Sequence, residues 1–249
     1  MHVYIYDSFL NQKKYDNVLT RVETRITDLG LNGKICRLGA MKSIKDMVEG
    51  ESKRGATTII AVGNDKTVSQ VVNAMAPLNS TTPLGIIPIG KGGNIISTAL
   101  GIETAEEACE TLSARRVEKL DLGTANNYYF LAEAAIGGKG TILEIKSYSV
   151  EIMEEGEIKI INLPPSENFP ANPQDGILDL YIQTVGKKKF LFGKEKAAGQ
   201  SVFPLKKLSV MNIKNQPLIL DGTIIVNTPV EIGIEKQKLN IIVGKGRKF

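Results

Sequence analysis

The stretch TTIIAVGNDKTVSQVVNAM (Thr57–Met75) predicts a strand, a glycine-bearing turn and the start of a helix, and PLGIIPIGKGGNIISTALGI (Pro83–Ile102) repeats that order. A helix N-terminus carries unpaired backbone N–H groups and a partial positive charge. A tight turn that leads into it can therefore hold a phosphate without a basic side chain. Two such turns in succession predict the walls of one nucleotide-binding cleft.

The two halves of the chain differ in their patterns. In the first half, short β-prone runs alternate with segments whose apolar residues recur at helical spacing, which predicts a parallel sheet. In the second half, strand-like segments flank turn signals, and Lys119–Ala125 and Tyr128–Ala135 surround Asn126-Asn127. We therefore predict an α/β domain over residues 1–117 and an antiparallel β domain over residues 118–249.

Composition narrows the classes of function. The chain has 31 basic and 27 acidic residues and a net charge of +4, which predicts no nucleic-acid partner but suits an anionic ligand or membrane surface. Two cysteines and one histidine argue against a zinc site and against a His-dependent hydrolase. Because no apolar run reaches membrane-spanning length and the N-terminus does not resemble a signal peptide, we expect a cytoplasmic protein.

The first turn, Gly63-Asn64-Asp65-Lys66-Thr67, has two interpretations. In the functional one, Gly63 lets the backbone approach a phosphate, Asp65 holds Mg²⁺ or a nucleotide hydroxyl, and Thr67 caps the helix and contacts phosphate. In the other, Asn64-Asp65 is an ordinary turn and Thr67 is only a cap. The spacing alone favours the ordinary turn, because short glycine turns are common.

The second turn, Gly90-Lys91-Gly92-Gly93-Asn94, makes a better phosphate site. It places three glycines and a lysine before a helix, and the lysine can neutralise charge on a transferring group. An ordinary strand-to-helix loop explains the same residues equally well.

Together the two turns resemble the paired glycine motifs GGDGT and PxGTGND of the diacylglycerol kinase, sphingosine kinase and bacterial lipid kinase superfamily. The matching positions are Gly63, Asp65, Thr67, Pro88, Gly90, Gly92, Asn94 and Leu100-Gly101-Ile102. Three later segments are also similar to motifs of this family: LDLGTANNYYFLAEAAIG (Leu120–Gly137), NPQDGILDLYI (Asn172–Ile182) and LILDGTIIV (Leu218–Val226).

The resemblance implies a Rossmann-like, ATP-binding first domain, a β-sandwich second domain and an active site in the cleft between them. It implies transfer of the γ-phosphate of ATP to a lipid hydroxyl, for example that of diacylglycerol, with Mg²⁺ bridging the phosphates. By resemblance, Asp221 is the base that takes the proton of the acceptor, and residues of both turns bind the nucleotide. The implied Mg²⁺ ligands are Asp65, Asp175 and Asp179. The alternatives are a hairpin turn at Asp221-Gly222, a turn before a strand at Asp175-Gly176 and an outward-facing strand position at Asp179.

Several positions depart from the family pattern and keep other hypotheses open. They are Asn64, Lys66, Gln70, Ile95 and Thr223. A catalytically impaired protein that binds a nucleotide or lipid as a sensor or partner module is the second hypothesis. An NAD kinase, which shares the first motif and the two-domain plan, is the third.

Two basic segments carry weaker predictions. The segment GKKKFLFGKEK (Gly186–Lys196) can dock Lys187–Phe192 on an anionic membrane, although burial of its apolar residues with solvated lysines is the favoured interpretation. We expect the tail Lys245–Phe249 to be frayed and solvated.

Overall fold

The computed structural model describes residues 1–39, 43–90, 94–145, 148–167, 169–184 and 199–249. The basic segment Gly186–Lys196, with its two alternatives, and the turn residues Lys91, Gly92 and Gly93 lie outside these ranges. None of the helices within them combines the length and hydropathy needed to cross a lipid bilayer.

Strands and helices alternate in the first half, as the sequence predicts. The strands are β1 (His2–Tyr6), β2 (Gly33–Arg37), β3 (Thr58–Gly63) and β4 (Leu84–Pro88). The helices are α1 (Asp16–Asp28), α2 (Ile44–Lys53), α3 (Asp65–Met75), α4 (Ile95–Ala99) and α5 (Ala105–Ala114), with 3₁₀ turns at Ser8–Asn11, Lys13–Tyr15 and Ala76–Leu78. The strands pair in parallel in the order β2-β1-β3-β4, so their carboxyl ends share one edge of the sheet.

The central strands β3 and β4 form the core of this half. Every residue in both strands is buried, which explains why the sequence reads as continuous apolar runs and not as an alternating pattern. Each strand leads directly into one of the predicted turns, so the same pairing that buries the strands also brings Asn64 of the first turn close to Gly90 of the second.

The second half is antiparallel and forms a two-layer sandwich. Its strands are β5 (Val117–Ala125), β6 (Tyr128–Phe130), β7 (Glu133–Gly137), β8 (Thr141–Ile145), β9 (Tyr148–Ile152), β10 (Gly156–Ile161), β11 (Leu178–Thr184), β12 (Gln200–Leu205), β13 (Leu208–Asn212), β14 (Leu218–Leu220), β15 (Ile224–Val226) and β16 (Val230–Ile242). One layer is a six-stranded sheet in the order β12-β11-β10-β7-β14-β15. The other continues the first-half sheet through β4-β16-β13-β8-β9, with β5 and β6 alongside β16, to give ten described strands. The predicted α/β-plus-β-sandwich fold is therefore confirmed.

One predicted strand is divided between the two sheets. The sequence pattern predicts a continuous strand over Tyr128–Ala135, but β6 pairs with β5 in the larger sheet and β7 pairs with β10 in the smaller one. The chain changes sheet at Leu131-Ala132, where backbone groups leave their ladders and need other partners. The apolar run Tyr128–Ala132 continues across the break, so the sequence pattern alone does not reveal it.

The C-terminal tail is attached to the fold, contrary to the expectation that it is frayed. The backbone N–H of Gly244 donates to Leu100 O at 2.8 Å and that of Lys248 donates to Ala99 O at 3.0 Å. An ion pair joins Arg247 to Glu118 at 3.1 Å. These bonds satisfy carbonyls at the end of α4, which a short helix leaves without intrahelical partners.

We predict that Gly123→Ala lowers the free energy of unfolding by about 1–3 kcal/mol, as overpacking of a core does. Gly123 lies opposite Phe130 in the β5–β6 pair, and an added Cβ would overlap the Phe130 ring. Urea unfolding followed by circular dichroism measures the change. Gly246→Ala is the matched control, because its Cβ would have no neighbour within 4 Å, and an equal loss in both variants would contradict the packing argument.

Candidate functional site

The described ends of the two turns lie together at the carboxyl edge of the parallel sheet. The N–H of Ile89 donates to Gly63 O at 2.9 Å, which continues the β3–β4 pairing up to the turns. A Cβ added at Gly90 would lie 3.5 Å from the Asn64 Cβ and 3.0 Å from the Phe9 ring. That both turns line one nucleotide cleft stays a prediction, because the middle of the second turn lies outside the described residues.

The first turn is a capped helix N-terminus. The Asn64 side chain accepts the Thr67 N–H at 3.4 Å, which is the N-cap arrangement. Gly63 is required because an added Cβ there would overlap the Thr67 side chain. Lys66 is exposed, whereas Thr67 is fully buried.

A carboxylate from β1 reaches this turn. Asp7 follows β1 directly, and its Oδ2 accepts the Thr67 hydroxyl at 2.7 Å. Its Oδ1 accepts the Phe9 N–H at 3.2 Å and the Ser8 hydroxyl at 3.3 Å. The carboxyl group of Asp7 thus lies beside the N-terminus of α3, held by three donors.

Asp65 links the first turn to the second. Its Oδ2 accepts the N–H of Ile95, the first residue of α4, at 2.7 Å. Burial raises the pKa of the Asp65 carboxyl to about 6; the backbone N–H groups of Ile95 and Ile96 oppose the shift, and the nearby Asp221 adds to it. The N-terminus of α4 is therefore already bound to an anion supplied by the chain. Beside it, the buried Asn94 Oδ1 accepts no hydrogen bond from the described residues.

Asp221 comes from the β half and meets α3. Asp221 is 7% exposed and occupies the turn between β14 and β15 with a left-handed φ of 48°. Its Oδ2 accepts the Ser69 hydroxyl at 3.1 Å, which places the predicted base against the helix that follows the first turn. Burial raises the pKa of this carboxyl, while its hydrogen-bond donors oppose the shift.

The same carboxylate binds the point at which the chain changes sheet. Its oxygens accept the backbone N–H groups of Leu131 at 3.1 Å, Ala132 at 2.8 Å and Glu133 at 3.2 Å. In return, the N–H of Asp221 donates to Glu133 O at 2.8 Å. Asp221 thus supplies the partners that the break between β6 and β7 requires.

Helix α3 presents a polar stripe to the β half. Asp65, Ser69 and Asn73 recur every four residues and so lie on one face of the helix. Asn73 pairs with the backbone of Tyr129 in both directions: its Nδ2 donates to Tyr129 O at 2.8 Å, and its Oδ1 accepts the Tyr129 N–H at 2.9 Å. The family motifs do not include Ser69 and Asn73, and other polar residues lie on the same helix, so these two are identified only by their contacts with the β half.

A cavity of about 840 Å³ opens between the two halves beside these residues. From the first half, its lining includes Ser8 after β1, Leu38 after β2, and Asn73 on α3. From the β half it includes Tyr128 and Ile224, which flank the β5–β6 and β14–β15 turns. The cavity thus lies at the carboxyl edge of the parallel sheet, where open α/β folds bind ligands.

Asp175 and Asp179 lie elsewhere in the β half. The Asp175 side chain accepts the Ile177 N–H at 2.8 Å, as in an ordinary turn. Asp179 is on β11, 9% exposed, and burial together with the charge of Asp175 raises the pKa of its carboxyl. Among the described residues no three or more acidic, His or Cys side chains group together, so Asp65, Asp175 and Asp179 do not form one metal centre.

These features coincide with a known sequence family. The sequence profile of the diacylglycerol kinase catalytic domain matches residues 2–125, which contain both turns. Residues 2–125 of this chain belong to the diacylglycerol kinase catalytic domain family. A crystal structure of a diacylglycerol kinase from Bacillus anthracis superposes with a TM-score of 0.76 at 20% identity, covering 98% of this chain and 97% of that one. This structural similarity supports the same fold over both halves.

Curated relatives match over different shares of their length. An uncharacterized protein of Synechocystis is 29% identical over 254 residues, covering 81% of this chain and 58% of that protein. The diacylglycerol kinase of Bacillus subtilis is 38% identical over 89 residues, covering 35% of this chain and 28% of that protein. The chain thus spans less than two thirds of the length of both.

We predict that Asp65→Asn stabilises the protein near neutral pH but not in acid. The pKa of the Asp65 carboxyl is about 6 in the folded protein and exceeds its ordinary value of 3.8. At pH values between these two, the folded protein therefore binds more protons at this residue than the unfolded protein does. This residue's contribution to stability is therefore complete below about pH 4 and is lost as the pH rises through about 6. Asn removes the buried charge yet still accepts the Ile95 N–H, for a gain on the order of 2 kcal/mol at about pH 7.5.

Urea titrations of both proteins at several pH values measure this difference. Asp28→Asn, at an exposed position, controls for the loss of one negative charge. A stability difference between wild type and Asp65→Asn that stays constant from about pH 4 to about pH 7.5 would show that Asp65 is not destabilised by burial.

Proposed function

We propose that this chain binds ATP in the cleft between α3 and the β14–β15 turn and transfers its γ-phosphate to a lipid hydroxyl. The observation that carries the proposal is the contact between Ser69 and Asp221, at 3.1 Å. It brings a buried carboxylate of the β half onto the helix that follows the first glycine turn. Membership of residues 2–125 in the diacylglycerol kinase catalytic domain family and the name of the Bacillus subtilis relative support the reaction class.

The cleft offers distinct surfaces for the parts of ATP. The first N–H groups of α3, at Asp65 and Lys66, point out of the helix without intrahelical acceptors and suit phosphate. The 840 Å³ cavity, which meets α3 at Gln70, Asn73 and Ala74, suits the nucleoside, because its walls combine apolar side chains such as Leu38 and Ile44 with the Asn73 amide. Phosphoryl transfer depends mainly on such positioning and on stabilisation of charge.

Asp221 is the proposed base for the acceptor hydroxyl. Three of its four donors are backbone N–H groups fixed by the fold, whereas the fourth is the side-chain hydroxyl of Ser69. A substrate hydroxyl can take the place of Ser69 without disturbing the backbone. Burial raises the pKa of the Asp221 carboxyl, which makes it a stronger proton acceptor when ionised.

The described residues suit a Mg²⁺ ion that is bound jointly by the nucleotide phosphates and the protein. They suit a metal site built from protein side chains alone less well. Mg²⁺ is commonly bound by one or two carboxylates together with substrate phosphates. Asp65, at the first turn, is the residue that would hold it, and the ion would neutralise charge on the phosphates. A separate structural Mg²⁺ at Asp175 and Asp179 stays a prediction from the family resemblance.

A second cavity lies in the β half, away from Asp221. It has a volume of about 1000 Å³ and is lined by residues of both sheets, among them Tyr148, Ile177, Leu205 and Leu208. Because it opens at β12, at the opposite edge of the smaller sheet from the β14–β15 turn, it is not part of the cleft proposed for phosphoryl transfer.

Nucleotide binding without transfer is the second candidate function. The four hydrogen bonds to Asp221 fill the usual acceptor capacity of a carboxylate. The carboxylate can therefore accept a substrate hydroxyl only if Ser69 moves away. The side chains at Asn64 and Lys66, where the family has glycines, favour the same candidate.

We predict that Asp221→Asn lowers transfer from radiolabelled ATP to lipid in mixed vesicles by on the order of 100-fold or more, because the base is lost. Calorimetry should show that ATP–Mg²⁺ still binds. Since Asn also weakens the bonds to the β6–β7 break, Asp121→Asn is the matched control. Asp121 is a similarly buried carboxylate that accepts the Gly176 N–H at 2.6 Å and the Gln237 N–H at 2.7 Å, so its loss should destabilise the fold without abolishing transfer.

The outcomes separate the candidates. Binding of ATP by wild type without transfer to diacylglycerols, sphingoid bases or related lipids supports the second candidate. Phosphorylation of NAD in the same assay identifies an NAD kinase. Full transfer by Asp221→Asn would remove Asp221 from the mechanism.

A further inference from the structure

The N-terminus of α3 carries an anion of the chain itself, at the position where the proposed function requires a phosphate. Asp7 Oδ2 accepts the Thr67 hydroxyl at 2.7 Å, the shortest of the bonds around this carboxylate. The backbone N–H of Asp7 donates to Val62 O at 3.1 Å, so the backbone of Asp7 is fixed to the end of β3. The carboxylate therefore belongs to the rigid edge of the sheet and not to a freely moving loop.

This arrangement affects the phosphate site in two ways. The buried Thr67 hydroxyl has Asp7 Oδ2 at 2.7 Å and Asn64 Oδ1 at 3.4 Å as acceptors, so it does not donate to a ligand while the bond to Asp7 persists. The negative charge of Asp7 also opposes any phosphate that approaches the first N–H groups of α3. Ser8, the next residue, lines the 840 Å³ cavity, so Asp7 stands at the boundary between that cavity and the helix.

We propose that Asp7 sets the nucleotide affinity of this cleft by competing with phosphate for Thr67 and for the N-terminus of α3. The proposal rests on the proposed function, because it concerns the same nucleotide. Nucleotide binding requires Thr67 to rotate away from Asp7, or a cation to screen the carboxylate from the phosphate. Asp7 is thus a determinant of affinity and takes no part in the chemical step.

The substitution Asp7→Asn separates the charge from the local structure. The amide oxygen of the new side chain keeps the bond to the Phe9 N–H, since Asn and Asp cap equally well. The amide nitrogen replaces Oδ2 and donates to the Thr67 oxygen, which frees the Thr67 proton for a phosphate. Asp7→Asn therefore removes both the repulsion and the competition for the hydroxyl while the packing stays the same.

The test is calorimetric titration of ATP–Mg²⁺ into wild type, Asp7→Asn and Asp28→Asn. Asp28 is exposed at the end of α1, at the opposite edge of the sheet from Asp7, so its variant controls for net charge. We expect Asp7→Asn to bind ATP on the order of tenfold more tightly, as loss of one nearby unit charge implies, with Asp28→Asn unchanged. In the transfer assay, KM for ATP should fall while kcat stays the same.

Equal or weaker binding by Asp7→Asn overturns the role of Asp7 and leaves the proposed function standing. Absence of ATP binding in wild type and in both variants overturns the proposed function together with this inference. If Asp7→Asn is less stable than wild type, Asp7→Ser gives the same comparison, because serine also caps the Phe9 N–H but carries no charge.

Discussion

The hydrogen bonds between the Asp221 carboxylate and three consecutive backbone N–H groups connect both layers of this protein. A chain that leaves one sheet for another exposes polar backbone groups, and in a buried position each needs a partner. Here one carboxylate serves Leu131, Ala132 and Glu133. The turn between β14 and β15, the break between β6 and β7 and helix α3 are thereby fixed at a single point.

The proposed site is built around that point because α3 carries polar groups at a spacing of four. Ser69 binds the Asp221 carboxylate, Asn73 binds the backbone of Tyr129, and Asp65 reaches back to α4. Two buried carboxylates, Asp65 and Asp221, lie near each other, and the charge of Asp221 contributes to the raised pKa of Asp65. A divalent cation that accompanies a nucleotide would offset this negative charge, whereas the nucleotide phosphates alone would add to it.

The sequence predicts the strands of the two sheets better than the connections between the sheets. Continuous apolar runs identify β3 and β4, and β-branched residues with turn signals identify most of the sandwich strands. The break at Leu131-Ala132 is not predictable from periodicity, because its partner Asp221 is ninety residues away in the chain. The paired turns and Asp221 follow from motif order, whereas Asp7 and Ser69 emerge only when distant elements meet. The attachment of the tail escapes prediction because its contacts with α4 are tertiary, not local.

The continuous sheet has a mechanical consequence. Strand β16 crosses from the sandwich to the α/β half, pairing with β13 at Val230–Ile232, with β5 along most of its length and with β4 at Ile241. The two halves therefore meet in this sheet at one described residue pair, Ile241 with Leu84, and bending there would leave the strand ladders within each half intact. Such bending would instead break the side-chain bonds of Ser69 and Asn73 to the β half. These side-chain bonds, more than the shared sheet, hold the two halves in one arrangement.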